Sequence, residues 1–406
     1  MRPLFRALRV PFELPLSLLA FVWRQVMSRT KVIAITGSVG KTTATRCLGT
    51  ILSSQFPTNW SPSPGNARRT LAMNLLRTRS RHKFTVIEVG TRRPGALWRA
   101  SRMIDPDVVV VLTVKQQHSN NFPDLAAIAA EKEQLLLRMG KQGMAVINGD
   151  DPFVRDMAAK CRGRIVTFGL EPRNDIRASD ISARWPERLS FRVHMGEESI
   201  PVKTYLLGEH WVYSVLGALA AAVACGIDLK SAAMAMEMVQ PVPGRMDPLE
   251  LPNGATFIRD EWNSSMASLE AGLEVLGKAR AARRILLLQD VLDSGLKTRQ
   301  RFRELGRRAA AAADIAVFVG PFGGIGAKAA VAAGLNPASS KSFHGLQAAS
   351  EFLRSELRRG DLVLLHGWPH LHLERICLAL SGKVDCWKAW CWKNRPCDQC
   401  RQLTDS

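Results

Sequence analysis

Tyrosine is almost missing from this chain: two residues among 406, with aromatics at 7% overall. No basic stretch is interleaved with Phe or Tyr in the way that stacks bases, so direct reading of nucleic acid is not expected. Long apolar runs are missing too. Residues 16–23, the apolar part of the N-terminal segment, fall well short of the ~20 that a membrane-spanning helix needs. No small-residue cleavage site comes after them, so a secretory signal is not expected either. Acidic side chains are the third shortage, 36 Asp and Glu against 56 Lys and Arg, for a net charge of +20. Such an excess either draws an anionic partner (nucleotide, nucleic acid, anionic lipid or envelope intermediate) or is a diffusely basic surface.

What is present is a globular composition, 46% hydrophobic and 23% charged, over a length that suits two or three domains. Of the eight cysteines, Cys47, Cys161, Cys225 and Cys377 are scattered through apolar or helical context, as buried free thiols are. Scattered thiols of this kind fit a reducing, cytoplasmic setting. The other four crowd the C-terminus.

The most informative stretch begins as a β-branched run, Lys31-Val-Ile-Ala-Ile-Thr36, which reads as a buried strand. It breaks into Gly37-Ser-Val-Gly-Lys-Thr-Thr43 and continues as a helix over residues 42–52. A strand feeding a glycine turn and a helix N-terminus makes a nest of N–H groups suited to phosphate oxygens. Lys41 then reaches the β/γ-phosphates and the Thr42 hydroxyl is placed for Mg²⁺. The usual longer form has a further glycine where Ile35 stands, so this is the short G-x-x-G-K-T-T form.

Ahead of the loop, residues 1–28 combine arginines, leucines and a tryptophan. They read either as an interfacial segment lying on anionic lipid or as a helix packed on the first domain. Residues 57–69, rich in Ser, Pro, Asn and Gly, read as a loop. Three further strands come next, over 84–90, 107–114 and 143–148, and polar residues gather beyond their ends, where open α/β sheets bind ligands. Glu88 sits inside the first of these apolar runs, and a buried carboxylate wants a metal or cationic partner. Residues 123–139 read as a helix with Leu125, Ile128, Leu135 and Leu136 as its stripe. Lys132 falls on that stripe, either facing inward toward a partner or snorkelling at its edge. Residues 164–206 read as short antiparallel strands, and after them comes an Ala-rich helix ending near Gly226.

Pro241-Val-Pro-Gly-Arg-Met246 has the composition of an interdomain linker. Beyond it, strand-like runs at 256–258, 284–288, 314–319 and 361–365 alternate with helical stretches, the pattern of a doubly wound sheet. No glycine fingerprint opens this half, so one nucleotide site is expected. The expected fold is α/β: an N-terminal segment (1–30), a P-loop ATPase-type central domain with a largely parallel sheet (31–240), a doubly wound C-terminal α/β domain (241–384) and a tail (385–406). In the tail, Cys386, Cys391, Cys397 and Cys400 could hold zinc, although only Cys397-Asp-Gln-Cys400 has good ligand spacing. Trp387, Trp390 and Trp392 among basic residues fit a membrane interface equally well.

The glycine loop, together with a series of short motifs downstream of it, resembles the Mur ligase family, which joins an amine to a carboxylate with ATP through an acyl-phosphate. The resemblance runs over about residues 31–380. Gly37, Ser38, Val39, Gly40, Lys41, Thr42 and Thr43 are similar to its ATP loop, and Gly65-Asn66 to a step before its acceptor-side loop. Glu88 resembles its magnesium-binding glutamate, His118 a magnesium-side histidine, and Lys132 the lysine it carbamylates to bridge metal ions. Asn148 and Asp151 resemble a nucleotide segment, Arg245 in Pro243-Gly-Arg245 a hinge arginine near the phosphates, and Asp260 and Asn263 a motif at the nucleotide. The chain departs from the family at Trp211 and Ser214, where asparagines are expected. It departs again at His366-Gly-Trp-Pro-His370, which replaces Lys-Gly-Ser-Arg. The family's UDP-sugar-binding domain has no counterpart ahead of the loop.

The resemblance implies an ATP- and Mg²⁺-dependent amide-forming ligase acting on an amino acid, peptide or envelope precursor, with a substrate other than the family's usual one. Lys41, Lys132, His118 and Arg245 would be catalytic, and Thr42, Glu88, His118 and Lys132 would hold metal. The competing readings are a membrane-tethered ligase for a polymeric or lipid-linked acceptor, a catalytically idle nucleotide-binding scaffold, and a P-loop kinase.

Overall fold

The computed structural model describes residues 10–61, 67–91, 93–116, 121–262, 264–388, 390–391, 393 and 396–404, with side chains from residue 14 onward. Contacts divide the chain into two units. The first comprises Met1–Ser182, Leu189–Tyr205 and Glu209–Gln240; the second comprises Ala183–Arg188, Leu206–Gly208 and Pro241–Ser406.

In the first unit nine strands form one sheet: β1 (Lys31–Thr36), β2 (Thr58–Trp60), β3 (Phe84–Glu88), β4 (Val108–Val111), β5 (Met144–Asn148), β6 (Arg164–Gly169), β7 (Ile176–Ser182), β8 (Ser190–Met195) and β9 (Glu198–Lys203). Their order is β2-β3-β1-β4-β5-β6-β7-β8-β9. β3 and β4 are buried along their whole length, as Val- and Ile-rich parallel strands covered on both faces must be. Val32, Ala34, Ile87, Val109 and Val111 supply one face, packed against Leu71, Leu97, Ile128 and Leu135 from three helices. The Lys41–Ser53 and Val212–Ala224 helices pack together as a further pair.

Two local expectations change. Residues 57–69 are not all loop: β2 adds a parallel edge beside β3, and the Arg68–Leu76 helix begins inside the stretch. Trp60 explains the order there, because its ring lies against Gly49, where a Cβ would not fit. Residues 164–206 are not uniformly antiparallel. β6 runs parallel to β5 and β7 parallel to β6, and only β7-β8-β9 form the antiparallel part.

The N-terminal helix Val10–Val26 packs one side on this unit. Ala20 is fully buried, Trp23 Nε1 donates to Thr78 O at 3.0 Å, and Arg24 reaches Asp107 Oδ2 at 2.8 Å and the Ile104 and Asp105 carbonyls. Its other side exposes Leu14, Leu18, Leu19, Phe21, Val22 and Val26. Among the described residues, no helix is long and apolar enough to cross a membrane.

The second unit holds a six-stranded sheet of β10 (Asp247–Glu250), β11 (Thr256–Asp260), β12 (Arg283–Leu288), β13 (Ile315–Val319), β14 (Ser340–Phe343) and β15 (Asp361–His366). The order is β10-β11-β15-β12-β13-β14, parallel except for β10. Leu346–Glu356 and Glu374–Ser381 contribute Leu353, Ile376 and Cys377 to a core with Phe257, Leu287, Val317 and Leu365. The Met266–Lys278, Thr298–Ala312 and Gly323–Ala332 helices pack successively on one another, and Gly272 of the first lies against Leu364 of β15. Helices on both faces of a parallel sheet make this a second doubly wound unit.

Candidate active site

Parallel register builds the first unit's site. Ile35 of β1 is paired with Glu88 of β3, so the carboxylate arrives beside the strand end from which the glycine loop departs. The loop then turns at Gly40, whose φ of 82° lies in the left-handed region. A Cβ there would also collide with Ser214 Oγ, so glycine is required twice over. Ser38 is pinned by its N–H to Thr113 O at 2.7 Å and by its Oγ to Lys115 O at 2.8 Å. This fastens the loop to the end of β4.

The helix then opens with Lys41, Thr42 and Thr43, all buried. Thr42 Oγ1 donates to Glu88 Oε2 at 2.7 Å. Lys41 Nζ donates to the Gly37 and Ser38 carbonyls at 2.8 and 3.0 Å, folded over the loop that it serves. Lys132 is 3% exposed and does not snorkel. Burial first, and the Lys41 charge second, bring its pKa from 10.5 down to about 7, with Glu131 opposing. Glu131 itself accepts the Gly95 and Leu97 N–H groups at 2.7 Å each. The Lys41 and Lys132 charges thus oppose one another, and Lys41 adjoins in the chain the buried Thr42–Glu88 pair. A hard divalent cation would take up the Thr42 and Glu88 oxygens and balance Glu88, so the donor set fits Mg²⁺.

Asn148 and Asp151 are engaged in local structure. Asn148 Oδ1 accepts the Asp150 N–H at 3.0 Å, and Asp151 caps the next helix while its Oδ2 takes the Val114 N–H at 2.7 Å. Beside them Tyr213 donates to Asp150 Oδ2 at 3.1 Å, a pairing that sequence spacing did not signal. Val39 lies in the loop, half-buried. Gly65, Asn66, His118 and Asn263 lie outside the described residues.

Arg245 and Asp260 belong to the second unit. Asp260 Oδ1 accepts the Met246 N–H at 3.2 Å and Oδ2 pairs with His366 Nδ1 at 2.8 Å, the two residues being register partners on β11 and β15. Burial raises the Asp260 pKa, opposed by His366 and by the nearby Arg245 charge. His366 Nε2, Gln289 Oε1 and Arg245 Nε are buried without a hydrogen-bond partner. His366 and Gln289 are neighbours, since the Gln289 N–H donates to His366 O at 3.0 Å. His366 and Gln289 were missed as a set because they come from neighbouring strand ends far apart in sequence. In the tail, none of the four cysteines forms a disulfide, and all four line one small cavity.

The chain matches the Mur ligase middle domain over residues 35–222 and the glutamate ligase domain of Mur ligases over residues 244–368. UDP-N-acetylmuramoyl-tripeptide--D-alanyl-D-alanine ligase of Mycobacterium tuberculosis is 28% identical over 376 residues, covering 87% of this chain and 74% of that one. The Bacillus subtilis enzyme of the same name is 24% identical, covering 86% and 75%. Among solved structures, MurF from Acinetobacter baumannii superposes with a TM-score of 0.84 at 27% identity, over 91% of this chain and 81% of that one. MurF ligase from Thermotoga maritima in complex with ADP shares the fold, with a TM-score of 0.78 at 20% identity over 90% and 83%. With the strand–loop–helix at residues 31–53 and both family domains in order, the chain belongs to the Mur ligase family and is an ATP-dependent, amide-bond-forming ligase.

Proposed function

We propose that the enzyme activates a carboxylate of a cell-envelope peptide precursor with ATP and joins it to an amine, releasing ADP and phosphate. The observation that carries this reading is the buried Thr42–Glu88 pair at the end of the glycine loop, next in the chain to Lys41, whose charge is felt by a buried Lys132. The N–H groups of residues 37–43 cradle the phosphates, and Lys41 opposes the charge that develops on the transferring group. Thr42, Glu88, His118 and a carbamate on Lys132 would hold Mg²⁺, which would supply neutralisation of the phosphate charge. Asn148 and Asp151 serve the nucleotide side.

The lowered pKa of Lys132 supports its part in this. A neutral amine adds to carbon dioxide and releases a proton, giving a carbamate. That step turns a repulsive Lys132–Lys41 pair into an attractive one. A catalytically idle scaffold would gain nothing from keeping an ammonium buried at that cost. The relatives' names specify a D-alanyl-D-alanine donor. His366, standing where the family motif has a lysine, supports an amine donor recognised differently.

The test is mass spectrometry of products after incubating the enzyme and ATP with amino acids, dipeptides and extracted envelope precursors. The expected product weighs the sum of its two substrates less one water. Failure to release phosphate with every pair, together with normal ATP binding by Lys41→Ala, overturns the proposal.

A second reading concerns place. The exposed apolar side of the Val10–Val26 helix adjoins a basic loop of exposed Arg77, Arg79, Arg81 and Lys83, held to it by the Trp23–Thr78 hydrogen bond. An apolar stripe beside clustered cations suits the cytoplasmic face of an anionic membrane. Flotation with vesicles containing anionic lipid should retain the full chain and lose Leu18→Glu/Val22→Glu. A full chain that stays with the soluble fraction at low salt refutes it.

A further inference from the structure

The C-terminal tail closes a cavity that neither nucleotide binding nor amide formation uses. It lies beyond the second family match, which ends at residue 368. Cys386, Cys391, Cys397 and Cys400 line it together with His372, and its free volume of about 10 Å³ admits one water-sized sphere. His372 is 1% exposed and its Nδ1 lies 2.9 Å from Glu374 Oε1, while its Nε2 is buried with no hydrogen-bond partner. A carboxylate on Nδ1 fixes the ring proton there and leaves Nε2 a bare lone pair. This is the arrangement that stands behind metal-ligating histidines.

Among the described residues, His372, Glu374 and Cys397 form a group whose potential ligand atoms all lie within 4.8 Å of one another. Glu374 Oε1 also accepts the Cys397 N–H at 3.1 Å, which ties the thiol's backbone to the histidine's partner. The remaining wall is cationic: Arg375, Lys388 and Lys393. Arg375 Nε lies 3.3 Å from Cys397 Sγ and Lys393 Nζ lies 3.4 Å from Cys400 Sγ. Cations donating to sulfur are what a cluster of thiolates needs, because a divalent ion with three thiolates keeps a net negative charge.

We infer that this cavity is a structural site for a soft divalent cation of the zinc class, centred on His372 Nε2 and Cys397, with Cys391 and Cys400 of the same cavity wall closing on the ion as the other two ligands. Cys397-Asp-Gln-Cys400 supplies the close pair, and the Cys391 N–H is anchored on His370 O at 3.1 Å, two residues from His372. Cys386 borders the cavity without being needed. Binding releases the three thiol protons and involves no redox change. The ion staples the tail to the Glu374–Ser381 helix and so completes the second unit; Arg259 already reaches Asp398 of the tail at 3.3 Å. The inference does not depend on the proposed substrate, since metal content is read without turnover.

The test uses the purified full chain. Elemental analysis of protein prepared without chelator should find close to one zinc per chain, not displaced by excess Mg²⁺. Replacing zinc with Co²⁺ should produce sulfur-to-cobalt charge-transfer bands with the intensity of three thiolates. Three tail thiols should resist a thiol reagent until chelator is added. Cys386→Ser should keep the metal, whereas Cys397→Ser/Cys400→Ser should lose it. Less than a tenth of an equivalent of zinc with no charge-transfer bands on adding Co²⁺ overturns the inference, and so does tail-thiol reactivity indifferent to chelator. Because the cobalt and thiol measurements use the unmodified chain, a variant that fails to fold does not spare the proposal.

Discussion

Lys132 is 3% exposed and shares its surroundings with Lys41, so its ammonium is held where water would not leave it. With a folded pKa of about 7 against 10.5 for an ordinary lysine, keeping this residue costs about 4 kcal/mol at pH 7. The sign comes from proton counting. Between pH 7 and 10.5 the unfolded chain binds the extra proton, so stability rises with pH across that window, and below pH 7 the cost is constant. Lys132→Met removes the charge at similar volume. Allowing for relaxation, the first unit should gain about 2–4 kcal/mol at pH 7, a rise in Tm of roughly 5–10 °C. Calorimetry in bicarbonate-free buffer at pH 7 and at pH 10 reads it, and the gap between variant and parent should narrow at the higher pH. Activity should fall at least ~100-fold, because the proposed carbamate, which would offset Lys41 and hold the metal, can no longer form. A variant less stable than the parent at pH 7 would show that Lys132 is paired rather than strained. Full activity would remove it from the chemistry.

The same geometry carries three further outcomes. Thr42→Ala leaves Glu88 without its 2.7 Å donor and the proposed Mg²⁺ site without a hydroxyl, so kcat should drop about 100-fold while the Mg²⁺ needed for half-activity rises. Gly40→Ala forces a left-handed φ of 82° on alanine and drives its Cβ into Ser214 Oγ; titration with ATP should show binding lost, with Ser214→Gly restoring only the part due to collision. Arg24→Met strips four hydrogen bonds from Ile104, Asp105 and Asp107, and should cost about 2 kcal/mol by denaturant unfolding and raise proteolysis of the N-terminal helix.

The glycine loop was legible because its function needs a local conformation. The strand, the turn residues and the helix start are contiguous, and backbone N–H groups do the binding. Glu88 and Lys132 stood out for a different reason. Each interrupts an apolar pattern, and a charge on a buried stripe is a statement about a partner even before the partner is known. Residues 57–61 and 164–182 were misread because short parallel edge strands carry little pattern of their own. β2 has three residues and is held by β3 and by Trp60 against Gly49. The His366–Asp260 pair could not be found from spacing, since more than a hundred residues separate partners that become neighbours only through the β11–β15 register.

The sequence by itself determined the phosphate loop, the two α/β halves and the family, because each depends on local periodicity or on ordered short motifs. It also showed four thiols in the tail but left zinc and a membrane interface both open. The tertiary structure alone decided that Lys132 faces inward against Lys41, that Thr42 meets Glu88, and that His372 presents a bare nitrogen to the cysteine-lined cavity. The physical reason is the same in each case: a side chain's pKa and bonding capacity are set by the distances and burial that strand register and helix packing impose, and neither is written in the order of residues along the chain.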